Sequence, residues 1–182
     1  GGSSVELSDT SGRTLCYLEY DLSWYRDNAK AEGGWSLEMI DTGNPCLAAE
    51  NWTGSVNAEG GTPGAANSVS GQAESDLILL KACCIDEFSL LAEFSETPDI
   101  VLAADTSLYL AGPYLFHPIL SVPVPPDYRS VQLTFKDSFS YGQIYLLTLQ
   151  PGIKNCIGEE IGSSSEISFA LSEDVEMQDI VI

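Results

Sequence analysis

Residues 33–69, GGWSLEMIDTGNPCLAAENWTGSVNAEGGTPGAANSV, constrain this chain more than any other stretch. The run Trp35-Ser36-Leu37-Glu38-Met39-Ile40 reads as a short strand, and nearly thirty residues of loop chemistry follow it. Asn44-Pro45 and Gly60-Gly61-Thr62-Pro63-Gly64 fix backbone angles that other residues resist. Trp35 and Trp52 supply apolar bodies on which such a loop can fold back. A loop this long inside a compact domain is expected to be pinned or functional. Its candidate structural residues are Trp35, Asn51, Gly60, Gly61, Pro63 and Gly64. Asn51-Trp52-Thr53 matches the N-x-[ST] glycosylation pattern, a short and often fortuitous match that reads here as structural.

The rest of the chain is punctuated the same way. Residues 3–20 read as two strands around Asp9-Thr10-Ser11-Gly12, and residues 21–34 as a loop with at most one helical turn. Residues 67–76, NSVSGQAESD, are small and polar and mark a linker. Beyond it, residues 77–85 and 88–96 read as strands, with Phe88, Leu90, Ala92 and Phe94 sharing one face at period two. Further strands are expected at 100–103, 107–110, 119–122, 130–135, 144–149 and 166–171, separated by Gly and Pro turns. Seven or eight short strands of this kind argue for a Greek-key sandwich, and no amphipathic helix is visible.

Two resemblances sharpen this. GGWSLEMID, NPC, ENW and GGTPGAANSV, in that order, with the upstream hairpin of residues 5–20, resemble the second half of a bacterial lamin tail domain. That resemblance implies an immunoglobulin-like sandwich, here without its opening strands. Leu90-Leu91-Ala92-Glu93-Phe94-Ser95-Glu96, residues 131–135, residues 142–149 and residues 152–158 resemble bacterial Ig-like domains. This copy carries Asn155 and Glu159 where aspartate and asparagine are usual. The expected fold is therefore all-β, two Ig-like Greek-key β-sandwich domains with the first incomplete at its N-terminus. Its parts are residues 1–70, a linker at 71–76, a second domain at 77–175 and a C-terminal strand at 176–182. Asp179-Ile180-Val181-Ile182 resembles the missing first strand, which implies pairing with the first domain within one chain or in a strand-swapped dimer; an unpaired tail is the alternative.

Composition narrows function. The 27 acidic residues against seven basic ones give a formal charge of −20, which repels phosphate backbones, so no nucleic-acid partner is expected. No run of eighteen apolar residues is present, so no membrane insertion is expected, and no signal-peptide pattern opens this segment. The acidity leaves an irregular Ca²⁺ site open, but no D-x-D-x-D-G loop exists and no other cofactor is implied. Cys16, Cys46, Cys83, Cys84 and Cys156 lack zinc or redox spacing. Their working disulfide pairs are Cys16 with Cys46, and Cys156 with Cys83 or Cys84; five reduced thiols are the alternative.

No catalytic residue is assigned. His117, the only histidine, sits in Phe116-His117-Pro118 with no G-x-S-x-G elbow in the chain, and reads as a locally satisfied loop residue. The pairs Glu159-Glu160 and Glu173-Asp174 lie in loops, and two sandwiches offer little depth for opposed acids. The expectation is a non-enzymatic structural, adhesive or spacer module, extracellular, periplasmic or at the cell surface, as the resemblances imply. Two alternatives stand beside it. One is a carbohydrate-binding module using Trp24, Tyr25 and Trp52, with surface glycans as partners. The other is an accessory domain of a secreted hydrolase, with neighbouring domains of the same polypeptide as partners.

Overall fold

A computed structural model describes residues 2–73, 76–113, 116–162 and 165–172. The expected strand at 176–182 and the pair Glu173-Asp174 lie outside the described residues, as does the side chain of Cys16.

The chain is all-β with antiparallel ladders throughout the named strands. Its C-terminal part is a two-sheet sandwich. One sheet holds β5 (Leu79–Cys84), β6 (Ser89–Phe94), β8 (Leu120–Val124) and β9 (Ser130–Thr134) in the order β5-β6-β9-β8. The facing sheet holds β7 (Tyr109–Gly112), β10 (Ile144–Leu149) and β11 (Glu166–Ala170) in the order β11-β10-β7. Strand alternation explains the layering. Leu90, Ala92 and Phe94 of β6 and Val131 and Leu133 of β9 point inward and are fully buried, opposite Tyr145, Leu147 and Leu149 of β10. One end of this core is closed by rings: Phe139 meets Phe135, Tyr145 and Phe169 with centroids 5.1–5.2 Å apart.

Two expectations fail here for identifiable reasons. Residues 100–103, expected as a strand, form a helical turn, α2 (Ile100–Ala103). The Asp99 carboxylate accepts from the amides of Val101 and Leu102, and this cap outweighs the β propensity of an apolar run. Phe88, expected on the inner face with Leu90, is 44% exposed. It precedes β6, in a turn held by its own amide on the Asp86 carboxylate, so the alternation starts only at Ser89.

The N-terminal part is built differently. β1 (Ser3–Ser8) and β2 (Thr14–Tyr20) pair as one hairpin, and β3 (Leu37–Met39) pairs with β4 (Trp52–Gly54) as a second ladder. Between them lie a 3₁₀ turn at Leu22–Tyr25, capped by Asp21, and α1 (Asn28–Ala31), capped by Asp27. Val5 and Leu7 of β1 and Leu15 of β2 are more than half exposed. Two-stranded ladders are marginal alone, so this part depends on other ties.

Truncating Phe94, fully buried at the sandwich centre, is expected to cost about 3–5 kcal/mol in urea unfolding. Val5→Ala on the exposed hairpin is expected to change stability by less than about 0.5 kcal/mol.

Candidate functional site

The long loop is pinned by two buried polar side chains. Glu38, at the middle of β3, is 4% exposed. Its Oε1 accepts from Thr62 Oγ1 at 2.6 Å, and its Oε2 from the Ser68 amide at 2.6 Å and Ser68 Oγ at 2.7 Å. Burial works against its ionisation, but the hydroxyls of Thr62, Ser68 and Ser55 and the Ser68 amide outweigh that, taking the pKa from 4.5 to about 2. Among the described residues the ion pairs are Arg13 with Asp9 and Lys154 with Glu160, so loop donors rather than a cation hold the Glu38 charge.

Asn51 is the second pin. It is fully buried, accepts from the Asp41 amide at 2.7 Å and donates to the carbonyls of Asp41 and Asn44 at 2.9 and 2.8 Å. Its side chain is thus committed to the loop. Gly60, with φ near +86°, lies against Gly34, where a Cβ would strike the Gly34 carbonyl oxygen. A Cβ on Gly61 would press on Ser36 Oγ at 2.9 Å. Trp35 is half-buried beneath the Lys30 ammonium, 5.1 Å from the ring centroid, while Pro63 and Gly64 stay exposed at the loop tip.

The pinned loop carries Cys46 to the sandwich, where it forms a disulfide with Cys156, Cα to Cα 5.6 Å. Neither working pair forms: Cys46 bonds to Cys156 rather than Cys16, and Cys83 and Cys84 are free on β5. The reason is position. The loop projects Cys46 onto the 155–158 turn, whereas Cys83 and Cys84 pair across the sheet with β6. Thr97 lies between the two half-cystines, its amide donating to the Cys46 carbonyl at 3.0 Å and its carbonyl accepting from the Cys156 amide at 3.1 Å. Asn155 shapes the turn, its Oδ1 accepting from the amides of Ile157 and Glu159. Its amide group donates to the carboxylates of Glu96 and Glu159, each at 3.1 Å.

Beside this staple runs a groove of about 140 Å³ between β2 and the sandwich. Trp24 and Trp52 line it, ring centroids 6.5 Å apart and planes tilted by 36°, with Met39 and Leu47 adding apolar wall. Its polar lining comes from Tyr17, Glu19, Thr97, Asp127 and Arg129. Desolvation, followed by the Glu19 charge, raises the Tyr17 phenol above its usual pKa. Arg129 Nη2 donates to the carbonyls of Phe94 and Ser95 at 3.1 and 2.8 Å, while its buried Nε has no acceptor. Tyr25 does not join the groove. Its hydroxyl donates to the Trp35 carbonyl at 3.2 Å, and its ring packs where a Gly54 side chain would stand. A larger hollow of about 580 Å³ shares Leu47 and Arg129 with the groove.

His117 is exposed, its Nδ1 2.6 Å from the Tyr109 carbonyl oxygen. Among the described residues, no three His, Cys, Asp or Glu side chains are grouped to hold a metal ion. No described helix is long and apolar enough to cross a membrane. Glu38, the Cys46–Cys156 pairing, Asp127 and Arg129 escape sequence reasoning; the one available signal is that an isolated glutamate in the short strand expected at 35–40 precedes a hydroxyl-rich loop.

No family model and no curated protein matches the chain. Solved structures do. The S-layer protein rSbsC(31-844) aligns at TM-score 0.50 and 18% identity over 56% of this chain and 14% of its own. The N-terminal part of the bacterial S-layer protein SbsC aligns with the same TM-score and identity, over 24% of its own length. The likeness is one of fold. This chain spans a quarter or less of either structure.

The Glu38 shift has a definite pH signature. A folded pKa below the unfolded one stabilises fully above pH 4.5, and the contribution is lost as pH falls from there through about 2. Glu38→Gln is expected to cost about 1–3 kcal/mol at pH 7. Melting curves of the two proteins should converge as pH is lowered through that window; a constant gap would contradict the assignment.

Proposed function

We propose that this chain is a non-enzymatic, load-bearing structural module of a bacterial surface or secreted protein. One observation carries the reading: the Cys46–Cys156 disulfide ties residues 110 apart, joining the N-terminal ladders to the sandwich. Disulfides persist in oxidising surroundings, and a fold likeness to S-layer structures over 56% of the chain suits a surface role. The acidic surface adds solubility without attracting polyanions. The N-terminal part is read as the second half of a lamin tail domain and the sandwich as a bacterial Ig-like domain, the two forming one spacer.

The staple also sets a load path. Tension entering through β1 and leaving after β11 passes from Cys46 to Cys156 through the S–S bond. Strands β3 and β11 lie outside the closed loop, whereas β4 to β10 lie inside it and cannot lengthen the chain when they unfold.

Pulled from its two ends in a force spectrometer, the oxidised protein should reach a contour length about 380 Å shorter than the reduced one. Cys46→Ser should give the long length without reductant. Equal lengths before and after reduction would remove the load-bearing reading.

A further inference from the structure

We propose that the groove between β2 and the sandwich binds a neutral saccharide, seating a single sugar ring against Trp24 and Trp52. This goes beyond the load-bearing reading and rests on different residues.

Three features of the groove specify the ligand. Its walls are two half-buried indoles with Met39 and Leu47, and small-molecule sites are typically mostly apolar with a few convergent polar groups. A sugar ring has a matching character: an apolar C–H face for an aromatic surface and hydroxyls around its edge. The polar groups mainly accept. The carboxylates of Asp127 and Glu19 accept from sugar hydroxyls, and so do the oxygens of Tyr17 and Thr97, whose own hydrogens are directed to Glu19 Oε2 at 3.4 Å and to the Asp127 carbonyl at 3.1 Å. Size is the second constraint. At about 140 Å³ the groove is well below the 300–1,000 Å³ of sites for drug-sized ligands, which limits occupancy to one small ring.

Charge is the third. Two carboxylates and one guanidinium line the groove, and the Nη2 of that guanidinium is held by the carbonyls of Phe94 and Ser95. With a formal −20 on the whole chain, a uronic acid or sugar phosphate meets repulsion that a neutral sugar does not. Both parts of the molecule line the groove, β2 and Trp24 from one side and Thr97, Asp127 and Arg129 from the other, and the staple holds them in register.

The test uses the oxidised protein with a panel of neutral hexoses, deoxyhexoses, N-acetylhexosamines and their disaccharides, alongside glucuronic and galacturonic acid. Saturation-transfer NMR and indole fluorescence report binding. The expected result is saturable binding of at least one neutral sugar, with the uronic acids weaker. Trp24→Ala and Asp127→Ala should each weaken it about tenfold or more. Asp127 is exposed in a turn, so its variant remains informative if Trp24→Ala does not fold. No binding by any neutral sugar, equal binding of uronic acids, or binding indifferent to Asp127→Ala would overturn the proposal. None of those results would touch the load-bearing reading, which is decided by contour length.

Discussion

The Cys46–Cys156 disulfide ties the two-stranded N-terminal ladders covalently to the sandwich. The N-terminal ladders have two strands each and leave Val5, Leu7 and Leu15 more than half exposed. Such ladders do not bury enough to stand alone. Closing a loop of 110 residues with the Cys46–Cys156 bond removes unfolded-state entropy worth about 5 kcal/mol on the chain-entropy model. The backbone bonds of Thr97 to both half-cystines, and of Asp99 to Lys154, continue the sandwich ladder up to the staple. The bond thus closes a junction that the backbone has already aligned.

Polar satisfaction works alongside the burial of Cys46 and Leu47 in delivering Cys46 to that junction. The loop covers the Glu38 face of β3 with hydroxyls and amides, and Asn51 ties its early part to Asp41 and Asn44. A buried carboxylate with no cation is costly unless every lone pair finds a donor. Here the donors come from residues 24 and 30 positions onward, so the charge orders a long stretch of chain. A loop held still presents both a half-cystine and the Trp52 wall of the groove.

The sandwich was largely legible because its strands obey one rule. Residues 144–149, an apolar run between the turn signals Gly142 and Pro151-Gly152, form β10 as expected. The rule broke where a local side chain competed with it, as Asp99 did in turning residues 100–103 into α2. In β3, read from the sequence only as part of a short strand, the most buried residue is Glu38, because the loop lies over its face. Adjacent Trp24 and Tyr25 looked equivalent, but a 3₁₀ turn sends one to the groove and the other beneath Trp35. Cysteine pairing was illegible for a related reason: spacing carries no information about a contact made by a loop folding back over 110 residues.

The N-terminal loop and the sandwich are joined covalently at Cys46 and Cys156. Proteolysis of the unreduced protein, followed by mass spectrometry, tests this most directly. A cross-linked species containing the Cys46 and Cys156 peptides, with Cys83 and Cys84 alkylated as free thiols, is the predicted result. Cys46 recovered in linkage with Cys16, or Cys156 with Cys83 or Cys84, would contradict it.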